Sequence, residues 1–177
     1  MDGSGKSTQA KLLLKSLRQM NKTVCLRIHP ERDNWFGRQA RVFLYSKGRS
    51  AHFASALFYM IDVIRSIVLY SWRKTDFIVF VRYLMGTAYL PGPFHIVGYN
   101  FFSCVVPKSE AMFFLDVLPQ TAAGRIQNNR KEVEMFENLR DLQKIRYKAL
   151  SLTRFDSWVI LDSNKREEKV ADAGLKS

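Results

Sequence analysis

Asp2-Gly3-Ser4-Gly5-Lys6-Ser7-Thr8-Gln9 fills most of the pattern G-x-x-x-x-G-K-[S/T], a loop that cradles phosphate. With Lys6 as its lysine, the pattern's first glycine falls one position before Met1. Glycines let backbone N–H groups curl around phosphate oxygens, and a helix starting near Lys6 adds the positive end of its dipole. Asp2, Gly3, Ser4, Gly5, Lys6, Ser7 and Thr8 therefore form the candidate nucleotide-binding segment. Lys6 would reach the β- and γ-phosphates of ATP, and the Ser7 hydroxyl would ligate Mg²⁺ between them. The bland alternative is a Gly/Ser-rich turn capping an ordinary helix.

Working outward, the loop normally joins the first strand of a parallel sheet to its first helix. This chain has no residues for that strand before the loop, so the reading expects roughly ten upstream residues, an apolar strand ending in Gly-x, ahead of Met1. From Ser7 to Met20, Ala10, Leu13, Leu14 and Leu17 share one face of an amphipathic helix. Thr23–His29, Phe77–Tyr83, Ala111–Val117 and Ser157–Ser163 are short runs, apolar on both faces, that predict central parallel strands. Helical patterns fill the gaps, including Lys131–Leu152. Glycines and prolines between Gly86 and Pro107 predict loop with at most a short helix, and the segment from Lys165 onward reads as a frayed charged tail. The expectation is a single α/β domain over residues 1–177: a three-layer P-loop nucleoside-triphosphatase fold, a parallel sheet flanked by helices with its first strand missing.

Composition supports this and narrows the partners. The chain has 177 residues, 47% of them hydrophobic and 25% charged, which is too apolar for disorder and right for one core. Its 28 Lys and Arg against 16 Asp and Glu give a net charge of +12, a field that attracts polyanions. The basic residues are spread along the chain without a recognised RNA- or DNA-binding motif, so nucleotides are favoured over nucleic acid. Ala51–Tyr70 approaches the length of a membrane span, but Asp62 and Arg65 interrupt it, and a buried helix is expected instead. Cys25 and Cys104 are too few and too far apart for a disulfide framework or a cysteine zinc site. A reducing, cytoplasmic setting without a membrane is expected. His29, His52 and His95 show no metal-ligand spacing.

These residues together resemble the thymidylate kinases, and the likeness runs along nearly the whole chain. The phosphate loop and the helix after it are similar to the family's own. His29-Pro30-Glu31-Arg32 looks like the family's Phe-Pro-Glu-Arg element, which implies that Arg32 holds the acceptor phosphate. Leu57-Phe58-Tyr59 resembles the start of the helix whose aromatic ring stacks on thymine, here Phe58. Arg82-Tyr83 and Ala88-Tyr89 resemble the Asp-Arg-Tyr and Ala-Tyr-Gln elements, making Arg82 a candidate catalytic group and Tyr89 a substrate contact. Phe114–Val117, Pro119, Arg125-Ile126 and Arg130 look like the following strand and an arginine-bearing lid around residues 120–135.

The resemblance implies transfer of the ATP γ-phosphoryl to dTMP with Mg²⁺, in a homodimer. Where some relatives carry an arginine in the loop this chain has Gly3, so the charge falls to the lid arginines Arg125 and Arg130, with Lys6 and Arg82. Asp2 would accept a hydrogen bond from the acceptor's 3′-hydroxyl. Three positions depart from the family: Val81 replaces the Asp before Arg82, Asp62 stands where an arginine reaches the thymine carbonyl, and Leu90 replaces Gln. Asp62 then becomes a candidate base contact suited to a base with an amino group, or a partner of Arg65 one turn on. Phe58 and Tyr59 also fit a plain apolar core. The alternatives are thus a kinase with another monophosphate acceptor and a P-loop nucleotide-binding protein of impaired turnover.

Overall fold

The computed structural model describes residues 1–46, 49–129 and 138–176. Among them the strands are β1 (Val24–Ile28), β2 (Phe77–Val81), β3 (Met112–Asp116) and β4 (Trp158–Asp162). The helices are α1 (Lys6–Gln19), α2 (Trp35–Tyr45), α3 (Arg49–Tyr70), α4 (Phe94–Val105), α5 (Pro119–Asn129), α6 (Leu139–Leu152) and α7 (Glu167–Lys176), with a 3₁₀ turn over Leu84–Tyr89. All four predicted strands are present, each trimmed by one or two residues at its ends. β1 pairs with β2 in parallel, Val24 opposite Phe77 through Ile28 opposite Val81. β3 pairs with β4 in parallel, Met112 opposite Trp158 through Asp116 opposite Asp162. Parallel pairs flanked by helices are the expected α/β architecture.

The chain forms two compact units: residues 1–13 with 109–177, and residues 14–108. In the first, α6 begins at Asn138, whose side chain accepts from the Asp141 amide at 2.9 Å. Leu142, Ile145, Ala149 and Leu152 then turn inward at helical spacing. In the second, α3 buries Tyr59, Asp62, Val63 and Ser66 while Leu57, Val68 and Leu69 stay exposed. Phe53–Tyr70 is long and apolar enough to cross a membrane by length and composition alone, with a mean hydropathy of 1.6. The sequence expected this helix to be wholly buried; it is buried on one face only.

Two expectations are corrected. The stretch after Gly86 contains the twelve-residue α4 as well as the 3₁₀ turn. Pro91, Gly92 and Pro93 only precede α4, where proline is tolerated because first-turn amides lack partners anyway, and Tyr99 and Phe102 are then fully buried. Gly98 within α4 lets Leu90 pack closely, since a Cβ there would stand 2.6 Å from Leu90 Cδ1. The chain beyond Lys165 is likewise helical: Val170 is buried, and Gln9 Nε2 donates to the Glu167 carbonyl at 2.8 Å.

The open ends of β1 and β2 are clamped by one reciprocal pair. Asp76 Oδ2 accepts from both Thr23 N and Thr23 Oγ1 at 2.7 Å, and Thr23 Oγ1 accepts from Asp76 N at 2.9 Å. The bonds from Thr23 hold the Asp76 carboxyl below its ordinary value. A carboxyl depressed by folding stabilises above its unfolded value and loses that contribution as pH falls through the folded one. Asp76→Ala is therefore expected to lower the melting temperature at neutral pH, with the difference from the parent shrinking below about pH 4; melts at stepped pH check it.

Candidate active site

The first unit builds the phosphate loop. Gly3 and Gly5 take φ of 71° and 76°, a left-handed conformation that L side chains resist. Gly3 also lies against α5, where a Cβ would stand 2.6 Å from the Ala122 carbonyl oxygen. The loop is fixed from two sides. Ser4 Oγ donates to the Met1 carbonyl at 2.9 Å, and Ser163 Oγ, just past β4, donates to the Ser4 carbonyl at 2.7 Å. Ser163 N in turn donates to the Asp116 carbonyl at 2.7 Å. The Lys6 ammonium donates to the Met1 carbonyl and to Ser4 Oγ, and lies 3.8 Å from the buried Asp2 carboxylate. The Ser7 side chain is exposed at the start of α1.

Arg125 reaches this loop, its Nη1 donating to the Gly3 carbonyl at 3.4 Å. Arg130 lies outside the described residues, as does the lid beyond Asn129. Asp116 pairs with Arg146, whose Nε and Nη2 donate to its two oxygens at 2.7 and 2.8 Å. That bidentate bond raises the Arg146 guanidinium above its ordinary value. Among the described residues no group of three or more His, Cys, Asp or Glu side chains gathers to hold a metal ion. The exposed Ser7 hydroxyl is a hard oxygen donor of the kind Mg²⁺ takes alongside phosphate oxygens.

The second unit carries Arg32, Phe58, Arg82 and Tyr89. Arg32 is exposed on the loop between β1 and α2. The Arg82 backbone has φ of 59°, strain of the kind that persists where surroundings over-determine it. Its guanidinium Nη1 lies 3.5 Å from the His29 carbonyl. The turn it begins is pinned by the buried Tyr59, whose hydroxyl donates to the Tyr83 carbonyl at 2.8 Å. Burial pushes the Tyr59 phenol well above its usual range, so it remains a donor. Tyr89, half-buried, closes the same 3₁₀ turn, and Leu90 beside it is buried. Phe58 is half-buried in an aromatic cluster, stacked on Phe43 at 5.6 Å and edge-on to Trp35 at 5.4 Å.

Asp62 differs most from the expectation. It is fully buried, so it offers no surface to a base, and Arg65 is not its partner. Asp62 Oδ2 accepts from His29 Nδ1 at 2.8 Å and Glu31 N at 2.9 Å, while Oδ1 accepts from Asn34 Nδ2 at 2.6 Å. Asn34 Oδ1 then caps α2 through Gly37 N at 2.9 Å. His29, given no role by the sequence, is fully buried between Phe80 and Tyr59. Beside them Arg27 pairs with Glu31, and with Asp33 at 3.0 Å. Burial is the largest single influence on Asp33 and pushes it upward, but the Asn34 hydrogen bond with the Arg27 and Arg65 charges outweighs it, and the carboxyl is lowered. No sequence spacing pointed to this network or to Ser163; only the ends of the strands that carry His29 and Ser163 were visible.

A glycine-lined phosphate loop opening a helix, within parallel strands flanked by helices, defines a P-loop α/β protein. Comparison with known proteins narrows this. The thymidylate kinase family model matches residues 1–173. Similar proteins include "Probable thymidylate kinase 1" of Saccharolobus solfataricus, 24% identical over 99% of this chain and 92% of its own length. "Thymidylate kinase" of Plasmodium falciparum is 26% identical over 96% of this chain and 82% of its own. "Probable thymidylate kinase" of Pyrobaculum aerophilum is 26% identical over 97% and 88%. The chain belongs to the thymidylate kinase family.

Gly86 admits the Tyr59 ring, for a Cβ there would stand 2.2 Å from Tyr59 Cε1. Gly86→Ala is expected to cost about 1–3 kcal/mol through forced displacement of a buried ring, read as a lowered midpoint in urea unfolding.

Proposed function

We propose that this protein is a nucleoside monophosphate kinase that transfers the γ-phosphoryl of ATP to dTMP, giving dTDP, in the cytoplasm. The observation that carries the reading is the phosphate loop: two left-handed glycines, Lys6 at the start of α1, and the Arg125 guanidinium on the Gly3 carbonyl. The donor residues fit a triphosphate, since Gly3, Gly5 and the α1 N-terminus offer backbone N–H groups and Lys6 and Arg125 offer charge. Ser7 would hold Mg²⁺, which when bound neutralises phosphate charge. Lys6 and the lid arginines Arg125 and Arg130 stabilise the charge of the transferring group. Arg82 adds to that charge at the acceptor side and Arg32 takes the acceptor's phosphate. Phe58 and Tyr89 meet the base, and Asp2 accepts from the sugar hydroxyl. Because in-line transfer rests on positioning and charge neutralisation, no covalent intermediate is required. Val81 is buried and apolar, so the arginines and Lys6 carry the electrostatic work without a carboxylate at that position.

An ADP-release assay on the full chain with ATP, Mg²⁺ and each of dTMP, dUMP, dCMP, dGMP and dAMP tests the reading. The fastest turnover is expected with dTMP, and Lys6→Ala should lower it about 10²–10³-fold, as loss of one charge-stabilising donor does. Preference for another acceptor would reassign the substrate. ATP binding without turnover on any acceptor would leave a nucleotide-binding protein.

The homodimer that the resemblance implies belongs to the same proposal. Phe53 and Phe94 meet edge-on at 5.7 Å, joining the exposed Leu57 of α3 to the exposed Val97, Phe101 and Val105 of α4. An apolar face of this kind calls for a cover. Sedimentation should give a dimer for the parent protein and a monomer for Leu57→Lys.

A further inference from the structure

Residues 29, 31 and 34 bracket Arg32, and each sends one hydrogen bond to the same side chain, Asp62 of α3. Asp62 and His29 are fully buried, and Glu31 and Asn34 nearly so, whereas Arg32 between them points to solvent. The loop is held against α2 as well, since a Cβ on Gly37 would stand 2.2 Å from the Glu31 carbonyl oxygen. We infer that Asp62 is a positioning residue for the acceptor phosphate: it fixes the β1–α2 loop so that the Arg32 guanidinium stands ready before the monophosphate arrives.

The inference rests on the reading above, that Arg32 takes that phosphate. A guanidinium on an unanchored loop must be ordered when the ligand binds, and that ordering weakens affinity. Three hydrogen bonds to one buried carboxylate do the ordering during folding instead. His29 supplies its bond through Nδ1, while its Nε2 has no hydrogen-bond partner among the described residues; Asp62 is thus the hydrogen-bond partner of an imidazole otherwise held by its packing against Phe80 and Tyr59. The loop that presents the phosphate-binding cation and the helix that carries Phe58 are thereby one hydrogen-bonded body. Asp62 touches neither base nor phosphate, so its influence falls on the phosphate of every acceptor alike and leaves base preference untouched.

Calorimetric titration of the full chain with dTMP, thymidine and dUMP tests this on the parent, Asp62→Ala and Asp62→Asn. Asp62→Ala is expected to weaken dTMP about tenfold, the loss of a charge-assisted hydrogen bond network's ordering effect. Thymidine affinity and the dTMP-to-dUMP ratio should stay within about twofold, because neither depends on Arg32. Asp62→Asn keeps the size of the side chain and one acceptor oxygen, so it guards against the unpaired buried donors that Ala leaves and should show the same selective loss in smaller measure. Equal losses for dTMP and thymidine, a changed base ratio, or unaltered dTMP binding in both variants would overturn the proposal. A parent that binds dTMP no tighter than thymidine would instead refute the role given to Arg32, a result visible before any variant is made.

Discussion

Close approach of backbone to backbone at Gly3 is the constraint on which the first unit depends. The loop can lie against the Ala122 carbonyl of α5 only because no side chain intervenes, and only a glycine adopts its left-handed conformation without strain. From that contact the rest follows in order. The Gly3 carbonyl becomes available to Arg125 on the same helix, and the Ser4 carbonyl to Ser163 at the end of β4. The phosphate loop is thus tied to α5 and to the end of β4 by bonds from the Arg125 and Ser163 side chains to its carbonyls. α6 packs against α5, and its Leu142, Ile145 and Leu152 are buried.

The second unit solves a different problem, holding an irregular loop without glycine. Its loop runs through Pro30, Glu31, Arg32 and Asp33, and its backbone donors need partners that a strand or helix would otherwise provide. A single buried carboxylate on α3 accepts from one of them, the Glu31 amide, and from the side chains of His29 and Asn34, with Asn34 relaying the bond into the first turn of α2. Burying a charge is costly unless several donors satisfy it, and Asp62 has three. Tyr59 acts in a related way: its hydroxyl adds a second bond to the Tyr83 carbonyl, which also accepts from Gly86 N within the turn.

Much of this was legible in the sequence, and the divide is physical. Strands β1 to β4 and helix α1 announce themselves by apolar runs within a few residues of one another, and the phosphate loop by glycines adjacent to its lysine. The helix α4 was hidden because Pro91-Gly92-Pro93 reads as a breaker, although a breaker at a helix start does no harm. The last helix was hidden because Glu167, Glu168 and Lys169 read as a solvated tail while a single residue, Val170, anchors it. Asp62 was read as a base contact because the resemblance supplied its neighbours. Its real partners lie 28 to 33 positions away in sequence, and no local pattern carries that distance.

The aromatic cluster at Phe58 has an optical consequence. The chain contains three tryptophans, and Trp35 stands at the first residue of α2, directly after its cap Asn34, with its indole edge-on to both Phe36 and Phe58. Half of that indole is exposed, at 52%, so its emission samples solvent and ring neighbours at once. An intrinsic fluorophore thus stands against Phe58, and its colour and quenching report the local environment of that ring without any attached dye.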